Sequence, residues 1–456
     1  MLKNITVFLF FALPLLAAKK PNIVLFYADD LGYTDLGCQG SKYYETPNID
    51  RLAKEGMTFT QAYAGAANCA PSRACLMTGK YTPRHGVYTV GNSDRGKPKH
   101  RKLVPVKNTT ILDGKFQTMA EALKTAGYQT CVAGKWHLSK DPTKDGFDTN
   151  FGGTTWGHPK SYFSPYKNPF LKDGPKGEHL PERLGREISG WIKEHSEKPF
   201  FVYLPFYSVH TPIQAPKELA AKYARKKTDG SHNNPKYAAM IESMDSAVGR
   251  ILKTLDELEL AENTLVVFTS DNGPHGAISR AEPLRGTKGM YYEGGIREPF
   301  LVRYPGVVAP GTKNETPVSQ IDLFPTFLKL AGKSEVPARL DGVDLLPSFR
   351  GEAVAERALF WHFPAYLQSY KADPDSASKF FRTTPCGVIR KGDWKLIQYF
   401  EDGALELYNL KEDLSERKNL AQSNPEKAKE MLKELTSWQV ATDAPVPTER
   451  NPKYEE

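Results

Sequence analysis

Cysteine is scarce, with five in 456 residues. So few thiols in so long a chain exclude a disulfide scaffold, and the odd count leaves at least one thiol over in an oxidising compartment. Long apolar runs are scarce too. The one at residues 7–16 follows Lys3 and ends at Ala17-Ala18, which reads as a signal segment over 1–18. It is too short to span a bilayer, and no cysteine follows it to take a lipid. No later stretch is apolar enough to cross a membrane. The mature chain is therefore expected to be exported, periplasmic or secreted, without a membrane anchor. Basic residues cluster only at 97–102 and 222–227, which gives a nucleic-acid partner little support. There are no internal repeats.

The remaining composition is that of a globular protein, 40% hydrophobic and 25% charged, with a formal net charge of +8. That balance can steer anionic substrates, or simply be a solvated surface. The length allows a large core and two domains. Along residues 19–350, strands alternate with helices. A buried strand at 21–27 ends at Asp29-Asp30. A helix at 46–56 has Thr46 as its cap and Pro47 in its first turn. Further helices are expected at 73–79, 118–127, 180–194, 237–259 and 322–331. Strands at 128–134, 200–205 and 264–269 deliver Lys135-Trp136-His137, His210 and Asp271-Asn272-Gly273. The Gly-, Pro- and aromatic-rich stretch 145–177 reads as a long surface loop. The fold class is α/β: a large, mostly parallel sheet flanked by helices. From 351 to 456 the pattern changes to short antiparallel strands at 387–397 and 405–409 and a helix at 425–439, a small C-terminal antiparallel sheet with a helix.

Chemistry concentrates in a few places. Cys69-Ala70-Pro71-Ser72-Arg73 puts a soft nucleophile, a stiffening proline and a fixed cation within five residues. Taken alone, Cys69 is a catalytic thiol, half of a disulfide with Cys75, or a site of covalent modification. Asp29, Asp30, Asp271 and Asn272 are hard oxygen donors at strand ends, suited to Ca²⁺ and less well to Mg²⁺; each pair alone more often caps a turn. Lys135 and His137, two apart in an extended stretch, share one side. His210 and Lys288 lie in loops, where a lone Lys is ordinarily solvated.

The longer pattern C-x-P-S-R-x-x-L-x-T-G at 69–79 resembles the signature of the type I sulfatases, and every fixed position is present. Lys-Trp-His, His-Thr-Pro, Asp-Asn-Gly and Lys288 then follow in that family's order. The stretches 283–289 and 292–299, with Ser164-Pro165-Tyr166, look like bacterial polysaccharide sulfatases. The resemblance implies an alkaline-phosphatase-like fold and a formylglycine made from Cys69 by a formylglycine-generating maturation enzyme. It implies a metal site of Asp29, Asp30, Asp271, Asn272 and position 69, and a sulfate clamp of Lys135 and Lys288. Arg73 would orient the formylglycine diol, His210 would protonate the leaving oxygen, and His137 would be the base that lets the diol ester collapse and expel sulfate. With Cys69 converted, Cys38, Cys75, Cys131 and Cys386 leave two disulfides possible. The expected substrate is a sulfated saccharide, the nearest subset being galactose or N-acetylgalactosamine 4-sulfate, with His158, His275, Arg280 and Arg285 as sugar contacts or ordinary surface residues. Two other readings stand beside this one: a phosphonate monoester or phosphodiester hydrolase of the same superfamily, and an inactive sulfated-sugar-binding protein.

Overall fold

Strand Asn22–Ala28 is buried along its whole length, and its side chains divide between two cores. Val24, Phe26 and Ala28 pack on one side with Val202 and Leu204, and Ile23, Leu25 and Tyr27 on the other with Phe201 and Tyr203. A strand covered on both faces has no polar side, which is why its sequence is continuously apolar. The computed structural model describes residues 19–333, 340–370 and 374–455; the signal segment read at 1–18 lies outside the described residues.

Asn22–Ala28 sits within an eight-stranded sheet. Across the sheet the order is Thr149–Phe151, Gln129–Ala133, Phe200–Pro205, Asn22–Ala28, Thr264–Ser270, Phe300–Arg303, Met57–Phe59 and Thr312–Asn314. The first five run parallel. Phe300–Arg303 is antiparallel to both of its neighbours. Helices Leu180–His195 and Pro235–Glu257 pack on one face through residues such as Leu184, Ile188, Met244 and Val248. Helices Cys69–Thr78, Met119–Thr125 and Leu323–Leu330 cover the other.

A second sheet of four antiparallel strands follows, in the order Leu359–Phe363, Cys386–Lys391, Trp394–Tyr399 and Leu405–Asn409. Ile389, Leu396 and Leu407 on one face meet Met431 and Leu435 of helix Pro425–Ala441. The opposite face, with Trp361, Val388 and Tyr408, shares a core with Tyr63, Ala67 and Tyr291 of the larger layer. Trp361 Nε1 donates to the Ala64 carbonyl at 2.8 Å. Among the described residues no helix is long and apolar enough to cross a membrane.

Local details differ from the expectations above. Thr46 precedes helix Pro47–Glu55 but makes no cap bond; its hydroxyl accepts from Gly37 N and donates to Asp50. Thr118 and Glu121 do form a reciprocal capping box. The stretch 145–177 is not all loop, since Thr149–Phe151 extends the sheet. Helix Lys217–Ala224 and strand Thr312–Asn314 were not foreseen. All five cysteines are free, so neither the two possible disulfides nor a Cys69–Cys75 bridge forms. Cys69 and Cys75 are six apart on one helix, some 240° and ~9 Å removed from each other, and Cys75 Sγ faces the Gly65 carbonyl and His85.

Candidate active site

Four neighbouring parallel strands end on the residues that carry chemistry. Ala28 leads into Asp29 and Asp30, Ala133 into Lys135 and His137, Pro205 toward His210, and Ser270 into Asp271 and Asn272. Open α/β sheets bind ligands at this carboxyl edge. The chain turns sharply there: Asp30 and His137 take left-handed φ values of 62° and 64°, and Gly134 one of 113°. A side chain at Gly134 would lie 2.1 Å from the Pro205 carbonyl oxygen, so only glycine lets the two strand ends close. Lys135 N donates to that same carbonyl at 2.7 Å and His137 N to Thr154 O at 2.8 Å. Lys135 and His137 thus reach the site through these turns beyond the strand, and not by the strand alternation expected from their spacing.

Cys69 is the first residue of helix Cys69–Thr78, and its side chain is 2% exposed. Ligand atoms of Asp29, Asp30, Cys69 and His210 lie within 4.8 Å of one another. Burial pushes the Cys69 thiol up. The positive charges of Lys135 and Lys288 and hydrogen bonds with His137 and His210 outweigh it, and the group ends well below its ordinary value. Position 69 is therefore built for negative charge.

The carboxylates and cations form a dry, paired lattice. Lys135 Nζ holds both oxygens of Asp29 at 2.8 and 2.7 Å. Lys288 Nζ lies 2.6 and 2.8 Å from the two oxygens of Asp30. Arg73 donates twice to Asp271 Oδ2, at 3.0 and 2.6 Å, and once to the Lys135 carbonyl at 2.8 Å. Asn272 Nδ2 donates to Asp30 Oδ1 at 2.8 Å. Its Oδ1 is buried without a partner. An unmatched amide oxygen among three carboxylates suits a hard divalent cation, and Asp29, Asp30, Asp271 and Asn272 fit one.

The two histidines differ. His137 is pushed down to about 4, chiefly by burial, and is neutral at pH 7. Its ring lies in the space that Gly157 leaves open. His210 Nδ1 is hydrogen-bonded to the Thr211 carbonyl at 2.7 Å, which fixes Nδ1 as the donor and turns Nε2 toward Asp30 Oδ2, 3.6 Å away. Burial and Lys288 depress its basicity, but Asp30 and Asp29 outweigh them and raise it. A protonated imidazole is thereby favoured at a partly open position.

The expected sugar contacts separate. The exposed His158 ring lies parallel to that of His210 at 6.3 Å, and His275 packs against Tyr370 at 4.4 Å. Arg280 pairs with Asp375. Arg285 is not brought to the cluster. It stacks on Tyr292 at 3.8 Å and donates to Tyr408 Oη and the Glu416 carbonyl, tying the C-terminal sheet to the larger layer. Sequence reasoning missed Arg95, Tyr370 and Arg382, whose charges or rings act on Cys69, Lys288 or each other. They sit in no motif, and their arrival depends on the C-terminal segment folding back.

A nucleophile position, a cationic clamp and a carboxylate cluster at the carboxyl edge of a parallel sheet define an enzyme of the α/β class that hydrolyses anionic esters. The sequence model of the sulfatase family matches residues 21–333, and a second, described as N-sulphoglucosamine sulphohydrolase, C-terminal, matches 287–441. A sulfatase of Formosa agariphila is 36% identical, the match covering 94% of this chain and 90% of that one. Human N-acetylgalactosamine-6-sulfatase is 34% identical over 76% of this chain and 69% of its own length. The crystal structure of Ps i-CgsB in complex with k-i-k-neocarrahexaose aligns with a TM-score of 0.76 and 32% identity, covering 92% of this chain and 93% of that one. The chain belongs to the sulfatase family and is a sulfuric ester hydrolase with the alkaline-phosphatase-like fold of its relatives.

Proposed function

We propose that the protein removes sulfate from a sulfated saccharide, of galactose or N-acetylgalactosamine type, with formylglycine at position 69 and Ca²⁺ beside it. The observation that supports it most is the buried Cys69 side chain meeting Lys135, Lys288, His137 and His210 together. The saccharide class is supported by the names of relatives, among them an N-acetylgalactosamine-6-sulfatase and a protein crystallised with k-i-k-neocarrahexaose.

When present, the cation supplies charge neutralisation and the hydrated aldehyde supplies an oxygen nucleophile with a second hydroxyl for later collapse. Asp29, Asp30, Asp271 and Asn272 hold the cation, a hard all-oxygen set that favours Ca²⁺ over Mg²⁺. The Cys69 sulfur stands for the position of the modified side chain. Lys135 and Lys288, now spent on Asp29 and Asp30, bind the non-bridging sulfate oxygens once those carboxylates are neutralised. Arg73 stays on Asp271 and keeps position 69 oriented. His210 gives its Nε2 proton to the departing sugar oxygen, and neutral His137 accepts a proton from position 69.

The test uses protein co-expressed with a formylglycine-generating enzyme. Sulfate release is followed from 4- and 6-sulfated galactose and N-acetylgalactosamine, alone and in oligosaccharides, beside bis(4-nitrophenyl) phosphate. Faster turnover of a sulfate ester, stopped by chelation and restored by Ca²⁺, is the expected result. Preference for the phosphodiester would make it a phosphohydrolase of the same fold, and binding without turnover by converted protein would make it a lectin-like relative.

A further inference from the structure

In the site just described every cation has its counter-charge. Lys135 sits on Asp29, Lys288 on Asp30 and Arg73 on Asp271. Two further arginines at its edge do not. Arg382, on strand Phe381–Thr383, is 7% exposed, and its Nε and Nη1 are buried without a hydrogen-bond partner. Its guanidinium lies 3.9 Å over the Tyr370 ring. It also lies against Gly289, the residue after Lys288, where a side-chain carbon would come within 2.9 Å of Arg382 Nε. Glycine at 289 keeps open the space this guanidinium occupies beside the clamp. Arg95 is half-buried and donates to the Val90 carbonyl. Its neighbour Gly96 packs on Phe381, the residue before Arg382, where a side-chain carbon would come within 2.6 Å of Phe381 Cε1. The two arginines thus flank one contact, and Arg95 feels the charges of Arg382 and Cys69. Neither arginine is paired with a carboxylate among the described residues.

Burying a guanidinium with unmet donors is costly, and placing a second beside it adds repulsion. Arg95 shows this: burial first, then Arg382, pushes it below the usual arginine range. An anion between them relieves both costs, and the planar guanidinium fork matches sulfate and carboxylate oxygens. The scissile sulfate already has its own two lysines. From Tyr370 a groove of about 920 Å³ leads away, lined by Gly96, Lys97, His100, Lys379 and Phe380 among others. It is basic, carries an aromatic wall and is wide enough for further sugar units.

We infer that Arg95 and Arg382 form a subsite for a second anionic substituent, sulfate or carboxylate, on the sugar bearing the scissile sulfate or on its neighbour, with the rest of the saccharide lying in the groove. This rests on the sulfated-saccharide reading above. The enzyme then selects polyanionic saccharides over singly sulfated sugars.

Calorimetric titration of full-length Cys69→Ala protein in Ca²⁺ tests it without need of turnover. The ligands are N-acetylgalactosamine 6-sulfate, N-acetylgalactosamine 4,6-disulfate, and a uronic acid–N-acetylgalactosamine 6-sulfate disaccharide; the last two separate sulfate from carboxylate. One doubly charged ligand should bind at least about tenfold tighter than the monosulfate. Added Arg382→Gln or Arg95→Gln should cut that ratio to below ~3. Arg95 is partly exposed, so its variant stands as the test if Arg382→Gln does not fold. Absent or equal binding of both doubly charged ligands, or a ratio that survives both substitutions in folded protein, would overturn the subsite. Failure of converted wild-type enzyme to release sulfate would count against the function proposed above, and the binding ratio would still report on the arginines.

Discussion

Lys395 offers the sharpest prediction about how the C-terminal sheet is held. Its ammonium group is fully buried, 3.0 Å from Glu293 Oε1 and 2.9 Å from Glu416 Oε1, and both acids are 0% exposed. Glu293 also accepts from Tyr63 Oη at 2.9 Å, and Glu416 from Glu293 N at 2.6 Å. Burial, aided by Glu293 and opposed by Lys395, pushes the Glu416 carboxyl up to about 7. Arg297 Nη1 also reaches Glu293, 3.3 Å from Oε2, so Glu293 keeps a second counter-charge while Glu416 pairs with Lys395. Lys395→Met keeps the volume and removes the charge, leaving Glu293 facing Glu416 in a dry contact. Breaking a buried pair in this way costs about 3–5 kcal/mol. With an unfolding entropy of ~2.1 cal/mol/K per residue, a 456-residue chain has ~1 kcal/mol/K in all, so the melting temperature should fall by about 3–5 °C. Glu416→Gln retains the Lys395–Glu293 pair and should cost less than ~1.5 kcal/mol. Calorimetric melts at pH 7 decide the matter. A Lys395→Met protein within ~1 °C of wild type would refute the ionised, buried cluster.

Three further outcomes follow from the geometry. Gly134→Ala places a carbon against the Pro205 carbonyl at a backbone φ of 113°, displacing Lys135 and lowering kcat/KM by at least about 100-fold; a loss under threefold would refute the role of that turn. His210→Ala should slow sugar sulfates by about 10²–10⁴ and 4-nitrophenyl sulfate far less, and equal losses on both would sink the proton-donor role. His362 is buried, donates to the Pro445 carbonyl and is held down to about 4 mainly by burial. The unfolded chain binds its proton from about 6.5 downward and the folded chain does not, so stability present above 6.5 is lost as pH falls. Between pH 7 and 5 this amounts to ~2 kcal/mol; His362→Gln should flatten the melting-temperature profile over that window, and an unchanged slope would contradict the assignment.

The parallel core was legible because strands such as Asn22–Ala28 are buried on both faces and read as unbroken apolar runs. The acids at their ends marked the carboxyl edge for the same reason. Lys135 and His137 were found by motif, but strand alternation is not what brings them together; the left-handed turns at Gly134 and His137 do, and positive φ at a histidine has no sequence signal. Arg285 flanks the Lys288 loop in sequence, yet its side chain runs to Tyr408 and Glu416 instead. Arg95 and Arg382 show the opposite limit. They are 287 residues apart in the chain, and only the return of the C-terminal segment over the larger sheet brings their charges together.

The central claim is that position 69, once converted, is the nucleophile. The most direct measurement pairs peptide mass at position 69 with sulfate release, across preparations that differ only in co-expressed formylglycine-generating enzyme. The account predicts specific activity proportional to the formylglycine fraction, with a line through the origin and none for Cys69→Ala. Activity in preparations whose peptide carries only unmodified cysteine, or its absence at full conversion with Ca²⁺ present, would contradict it.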